Sequence, residues 1–291
     1  MRNLFEHTSA SWVRYSDYEW KTAGNGILYL IPTEDATPQP YDPMAVAEPL
    51  VLAAMDIGLQ CFRKDPESEI KAAILEFAKS YGLLGIMTAL PTTARFVEYE
   101  KVYLPKNQLI REESLETNAY LDYFFPFEKP DFVKQGVESS WSIEDPSMQA
   151  LTLTYGDAPQ AKVMSFLRQY AERYDWLVAV FRDWTFTFMT TVLYYAGKGA
   201  LDTTTKELYH KGMAAFDGNA PTYHLELREH PTLVWDFHSL LVNIKLLFSV
   251  MLTDENHPLR MCRNCQRAFI AKRKNEDFCS PECRGKYKAG K

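Results

Sequence analysis

Five cysteines occur in the 291 residues, and four of them fall within the last thirty. They run Arg260-Met-Cys262-Arg-Asn-Cys265, then thirteen residues, then Cys279-Ser-Pro-Glu-Cys283: a C-x2-C followed by a C-x3-C. Four thiolates at this spacing suit tetrahedral zinc, because a two-residue gap lets both sulfurs of a turn face one ion about 2.3 Å away. In a reducing compartment such a cluster reads as a metal site rather than two disulfides. Four protein ligands leave no open position for water, so the zinc would be structural. A piece this short cannot bury a core of its own, and the ion would supply most of its folding energy. Cys61 stands apart in the apolar run Met55-Asp-Ile-Gly-Leu-Gln-Cys61-Phe and reads as a buried bystander. His257 lies five residues before Cys262 and could compete as a ligand, but four cysteines suffice without it.

The elements that must position these sulfurs are short. Phe269 and Ile270 are expected to form a hairpin strand behind the first cysteine pair, with Lys272 to Asp277 as its turn and Phe278 as the return strand. Ser280-Pro281-Glu282 reads as a helix start: an N-cap serine, a first-turn proline and an acid near the positive helix end. Cys283 then falls in the first turn of a terminal helix. Knuckle, hairpin and helix together describe a treble-clef-like zinc module over residues 259–291. This module is strongly basic, with ten Lys and Arg against three acids, a charge of +7. The whole chain carries -6, so residues 1–258 carry -13. That balance excludes a protein that coats nucleic acid with its whole surface, and it leaves a basic tail that could meet phosphates.

The pattern resembles a known family. An apolar helix feeds Leu259-Arg-Met-Cys-Arg-Asn-Cys265; then come Phe269, a basic turn with Arg273-Lys-Asn275, an aromatic-Cys step at 278–279, and a last cysteine followed by a basic helix. These features over residues 239–288 are similar to the C-terminal CGNR-type zinc finger of a group of bacterial proteins regarded as transcriptional regulators. Cys283-Arg-Gly-Lys286 stands where the family name has Cys-Gly-Asn-Arg. The resemblance implies a zinc-dependent DNA-binding role. Residues 1–238 carry no such likeness.

Residues 1–258 have ordinary globular composition within a chain that is 46% hydrophobic and 24% charged. Ile27 to Pro32, behind the turn Gly24-Asn-Gly26, suits a strand. Asp42-Pro43 opens a helix running to near Cys61, which Pro49 could kink. Asp65-Pro66 opens a second, with Ile70, Ala73, Ile74, Phe77 and Ala78 on one face and an end near Tyr81-Gly82. Arg95 to Leu104 is strand-like, and residues 105–146 favour no one state. Gln160 to Tyr195 reads as one long helix or two stacked ones, stopped by Gly197-Lys-Gly199; its aromatic stripe from Trp176 to Tyr195 reads as core. Tyr223 to Arg228 alternates as a strand does, and Ser239 to Leu252 is a helix apolar nearly all round. The expected architecture is α+β: a mainly helical body with short strands over 1–258, serving ligand sensing or dimerisation, and the zinc module over 259–291 packed close against it.

Three function classes follow. In the leading one the module is a regulator's nucleic-acid-binding element for DNA or RNA. Arg263, Arg267, Lys272, Arg273, Lys274, Arg284, Lys286 and Lys288 would then neutralise phosphates. The second is a protein–protein interaction module, its charges matched by acidic stretches such as Arg111-Glu-Glu-Ser-Leu-Glu116. The third, an enzyme with a zinc tail, lacks a P-loop, G-x-G-x-x-G, G-x-S-x-G or H-E-x-x-H signature. His224, His230 and His238 with Glu226, Glu229 and Asp236 form the densest titratable group, and no residue is assigned a catalytic role. The N-terminus has no apolar signal region and no 18-residue stretch lacks charge, so a cytoplasmic protein with no membrane partner is expected.

Overall fold

A computed structural model describes residues 8–90, 99–128, 168–197, 201–214, 222–227, 229–237, 239–273 and 275–290. Among them are eight α-helices and twelve short strands, an α+β mixture. The chain divides into two compact units. The first comprises Met1–Val46, Ile74–Leu177 and Asn219–Asn243; the second comprises Ala47–Ala73, Val178–Gly218 and Ile244–Lys291. Residues 259–291 thus belong to the second unit, and the change of charge near 258 falls inside it.

The first unit is built from small sheets. β1 (Thr8–Ala10) lies parallel to β10 (Pro231–Asp236), which pairs antiparallel with β9 (Thr222–Leu227). β2 (Trp12–Tyr15) pairs with β5 (Pro38–Tyr41), and β6 (Lys101–Tyr103) with β7 (Ser114–Glu116). β3 (Tyr18–Thr22) pairs with β4 (Leu28–Pro32), whose other edge takes β8 (Glu172–Arg173). The strands expected at 27–32 and 223–228 are present as Leu28–Pro32 and Thr222–Leu227, with Arg228 outside the described residues. Of the stretch Arg95 to Leu104, residues 95–98 lie outside the described residues and Lys101–Tyr103 is strand. α3 (Ile86–Ala89) and α4 (Thr117–Asp122) also belong to this unit.

The reading of Gln160 to Tyr195 as one long helix needs correction, although Arg168 and Gln169 are helical and a second helix begins at Tyr174. Residues 160–167 lie outside the described residues, and Tyr170 precedes a strand rather than sitting in a helix. Leu30 pairs with Glu172 and Tyr29 with Arg173, so the helix, α5 (Tyr174–Gly197), starts only afterwards. The three- and four-residue spacing of Tyr170 and Tyr174 is a coincidence of two elements that both bury aromatics. Along α5 itself, Trp176, Leu177, Val180, Phe181, Trp184 and Phe188 are core, while Phe186, Leu193 and Tyr195 are exposed.

A 3-10 turn (Pro43–Val46) precedes α1 (Ala47–Arg63), with Asp42 Oδ1 accepting from the Met44 N–H at 2.8 Å. Pro49 is the third residue of α1 and need not kink it, because first-turn N–H groups have no helical partner to lose. The span Pro43–Arg63 is long and apolar enough to cross a membrane, with mean hydropathy 1.5, but eight residues of α1 are buried in the fold. A Cβ added at Gly58 would collide with the Phe181 carbonyl, so the missing side chain lets α1 and α5 approach. α2 (Glu67–Tyr81) follows and ends at Gly82, whose N–H reaches the Ala78 carbonyl at 2.7 Å. α6 (Thr203–Ala214) and α7 (Leu240–Thr253) are the remaining long helices. α7 buries Leu240, Leu241, Val242, Ile244, Leu247 and Phe248, as its all-round apolar sequence requires.

Candidate metal centre

The C-terminal segment is organised by a hairpin around the first cysteine pair. β11 (Leu259–Met261) pairs antiparallel with β12 (Ala268–Ile270), Arg260 facing Phe269. Between them the Cys262 N–H donates to the Arg267 carbonyl at 2.9 Å and the Gln266 N–H to the Cys262 carbonyl at 2.9 Å. The hairpin therefore pairs Phe269 with a strand before the knuckle, not with Phe278. The knuckle is itself the connecting turn, so β12 already has its partner, and Phe278 lies in no strand. Residues 272–277 do turn: the Lys272 N–H donates to Glu276 Oε2 at 2.7 Å, and the Arg263 N–H to the Asp277 carbonyl at 3.0 Å. The last helix, α8 (Pro281–Ala289), starts as its sequence demands. Ser280 Oγ accepts from the Cys283 N–H at 3.2 Å and Pro281 occupies the first turn.

These elements bring four sulfurs together. Sγ atoms of Cys262, Cys265, Cys279 and Cys283 all lie within 4.8 Å of one another. Cys265 and Cys279 are 3.6 Å apart, and Cys279 and Cys283 3.5 Å apart. A tetrahedron with metal–sulfur bonds of about 2.3 Å has edges of about 3.8 Å, so the cage fits one such ion. Burial raises the Cys262 thiol, but N–H groups of Cys265, Cys279 and Asn264 outweigh it and bring it to about 6. Cys283 is also lowered, first by the Cys279 thiol donating to it. Burial pushes Cys265 and Cys279 up. A bound cation would draw the protons from all four sulfurs.

Among the described residues of this segment, Leu259, Cys262, Ala268, Phe269 and Ala271 are buried. Its own buried cluster is Cys262, Phe269 and Ala271, with Cys265, Phe278 and Cys283 packed on it. Phe278 meets Tyr287 at a ring distance of 5.3 Å. β12 packs against α1 within the second unit, and Arg267 Nε stands 4.0 Å from Asp56 on that helix. Burial raises the Asp56 carboxyl, and Arg267 and Arg63 oppose this.

The other expected site residues divide. Arg263 meets Asp277 at 3.4 Å, inside the module. Lys272, Arg273, Arg284, Lys286 and Lys288 are exposed, as is Arg267, and Lys274 lies outside the described residues. Arg273, Arg284 and Lys288 line one cleft. Cys61 is far from the cluster in sequence and buried in α1, its thiol pushed up to about 11 by burial. His257 is not among the grouped ligands; its Nδ1 faces Asp254 at 3.7 Å. His224 sits on β9 beside Glu226, 3.3 Å away, while His230 lies in the turn before β10 and Glu229 is exposed beside it. Asp236 ends β10, and His238 lies outside the described residues. No shared site is formed by that group among the described residues.

Sequence reasoning missed a second polar cluster, in the first unit. Glu172 is buried; its Oε2 accepts from the Leu84 N–H at 2.8 Å, and its Oε1 from the Ile86 N–H and the Tyr170 hydroxyl, both at 2.9 Å. The Tyr120 hydroxyl donates to the Met87 carbonyl at 3.0 Å. Burial raises the Glu172 carboxyl, opposed by these donors.

Comparison with known protein families, characterised proteins and solved structures returns no match. The four-cysteine cage could hold a metal ion.

Proposed function

We propose that residues 259–291 form a treble-clef-like module folded around one structural zinc ion and that the module binds the phosphate backbone of DNA or RNA. The ion would be held by Cys262, Cys265, Cys279 and Cys283. The observation that carries this reading is the charge left over once the cage is assembled. Within the module Arg263 meets Asp277 at 3.4 Å, and Arg267 approaches Asp56 beyond it at 4.0 Å. Lys272, Arg273, Arg284, Lys286 and Lys288 face solvent, where cations on a rigid scaffold can neutralise phosphates and release counterions. The thiolates call for a reducing compartment, in keeping with a cytoplasmic regulator whose remaining residues sense a ligand or dimerise.

A second reading, that the module serves only protein contacts, draws on the packing of β12 against α1 and on Arg267 beside Asp56. It leaves the solvent-facing cations without a purpose. The test is binding of labelled duplex DNA and RNA by zinc-loaded protein over a salt series, with an Arg273→Glu/Lys286→Glu variant alongside. Affinity should fall steeply with salt and collapse in the variant. Zinc-loaded protein that binds neither probe at low salt would hand the case to the second reading.

A further inference from the structure

The module's cations are not spread evenly over its surface. Arg273 from the basic turn and Arg284 and Lys288 from α8 line a cleft of about 590 Å3, together with Asn275, Glu276 and Phe278. Arg284 and Lys288 are four residues apart and share one face of the helix, while Lys286, midway between them, lies outside the cleft. Like charges at that spacing repel, so the arrangement costs free energy until an anion joins it. The lining holds one acid, Glu276, whose Oε2 accepts the Lys272 backbone N–H and which keeps its charge, so the three cations leave a net positive cleft. Arg273 and Lys288 make no ion pair among the described residues, and the Arg284 guanidinium lies over the Phe278 ring, 5.9 Å from its centroid.

Gly285 supplies an independent observation. It sits inside a nine-residue helix, where glycine is a poor choice relative to alanine. A Cβ built there would meet nothing within 4 Å, so internal packing does not demand the glycine. Yet Gly285 lines the same cleft. A bare backbone at that point deepens the cleft between the cations and lets a ligand come close to the helix.

We infer that this cleft seats one phosphodiester of a nucleic-acid backbone, with Arg273, Arg284 and Lys288 around the phosphate and Gly285 as its floor. The inference rests on the nucleic-acid reading above and gives it a place. The guanidinium forks suit phosphate oxygens, two donors to two acceptors. The volume lies within the range of about 300–1,000 Å3 typical of small-ligand sites, enough for a phosphate and its adjoining sugar. Contacts of this kind position a nucleic acid without reading its sequence.

Three variants of the zinc-loaded full chain test it by fluorescence anisotropy with labelled mixed-sequence duplex DNA and single-stranded RNA. Lys288→Gln and Lys286→Gln change the charge equally on one helix, but only the first empties a position in the cleft. Gly285→Ala changes no charge. Lys288→Gln should weaken binding about tenfold and lower the salt slope by about one phosphate, and Lys286→Gln should weaken it far less. Gly285→Ala should weaken binding severalfold while keeping full zinc content and a helix no less stable. Equal losses in the two lysine variants, with Gly285→Ala binding as wild type does, would overturn the cleft and leave the proposed function standing. Failure of wild type to bind either probe at low salt would overturn both. Inorganic phosphate is the remaining probe: saturable shifts at the Gly285 and Lys288 amides, without affinity for either oligonucleotide, would assign the cleft to free phosphate and overturn the proposal.

Discussion

The Glu172 cluster of the first unit and the sulfur cage of the second solve the same problem in opposite ways. Each gathers ionisable side chains that need partners, Glu172 fully buried and the sulfurs with only Cys262 buried. Glu172 is met by donors the chain itself supplies: two backbone N–H groups beside α3 and one tyrosine hydroxyl. The four sulfurs instead face one another, and a few N–H groups reach Cys262 while Cys279 is surrounded by thiols. One arrangement is complete as folded, and the other could be completed by a cation. The lesson is that the first should be indifferent to metal and sensitive to its own acceptor, and the second the reverse.

Chelation is the strongest way to break that comparison. Structural zinc contributes about 10–16 kcal/mol in isolated fingers at neutral pH, far more than the three-residue cluster of Cys262, Phe269 and Ala271 can offer. Stripping the metal from loaded protein should therefore abolish hydrogen-exchange protection at the amides of Cys262, Gln266 and Cys283. Protection at Leu84 and Ile86 should persist. If Cys262 stayed protected in metal-free protein, the cage would be self-supporting and the contrast would vanish.

The second test acts on the other side. Glu172→Ala leaves three buried donors without an acceptor and should cost about 3 kcal/mol or more, at unchanged zinc content. Glu172 also sets a pH dependence whose sign follows from its raised carboxyl. Between the ordinary value near 4.5 and the raised one, the folded state binds more protons than the unfolded state. Its contribution is thus fully present at low pH and is lost as pH rises through the folded value. Glu172→Gln, which cannot titrate, should flatten that part of the stability–pH curve when unfolding is followed by tryptophan fluorescence. A curve of unchanged slope would show that another group titrates there.

What could be read from the sequence follows the same division. The sulfur cage was legible because its ligands come in local pairs whose spacing is chemical information. So were Asp42, Gly82 and the Ser280-Pro281 start, each a signal confined to one turn. Strand β9 and helix α7 showed in alternation and in an all-round apolar run. Glu172 was not legible: its partners are backbone N–H groups 88 and 86 residues earlier, and a backbone donor has no letter of its own. The pairing of β12 with Leu259–Met261 instead of Phe278 was missed for a related reason, since either neighbour offers apolar residues to a three-residue strand. The cleft needed the fold as well, because only the helix surface shows that Lys288 lines it and Lys286 does not.

The smallest expected effect concerns backbone strain. In the first unit the left-handed positions among the described residues are glycines: Gly26, Gly82 and Gly85, with φ between 71° and 90°. In the second they are Lys64 and Gln266, at φ 60° and 57°. At Lys64 the chain merely leaves α1, but Gln266 directly follows a sulfur ligand and donates to the Cys262 carbonyl. A side chain there costs about 1–2 kcal/mol of local strain, of which glycine would return only part because it also loosens the unfolded chain. Gln266→Gly should therefore tighten zinc binding by a net of about 0.5–1 kcal/mol, roughly two- to fivefold against a competing chelator. A gain of that size would mean that the ion's binding free energy holds the knuckle in a turn its sequence resists. No gain would place the strain relief in the hairpin, where β11 and β12 would fix the turn before any metal arrives.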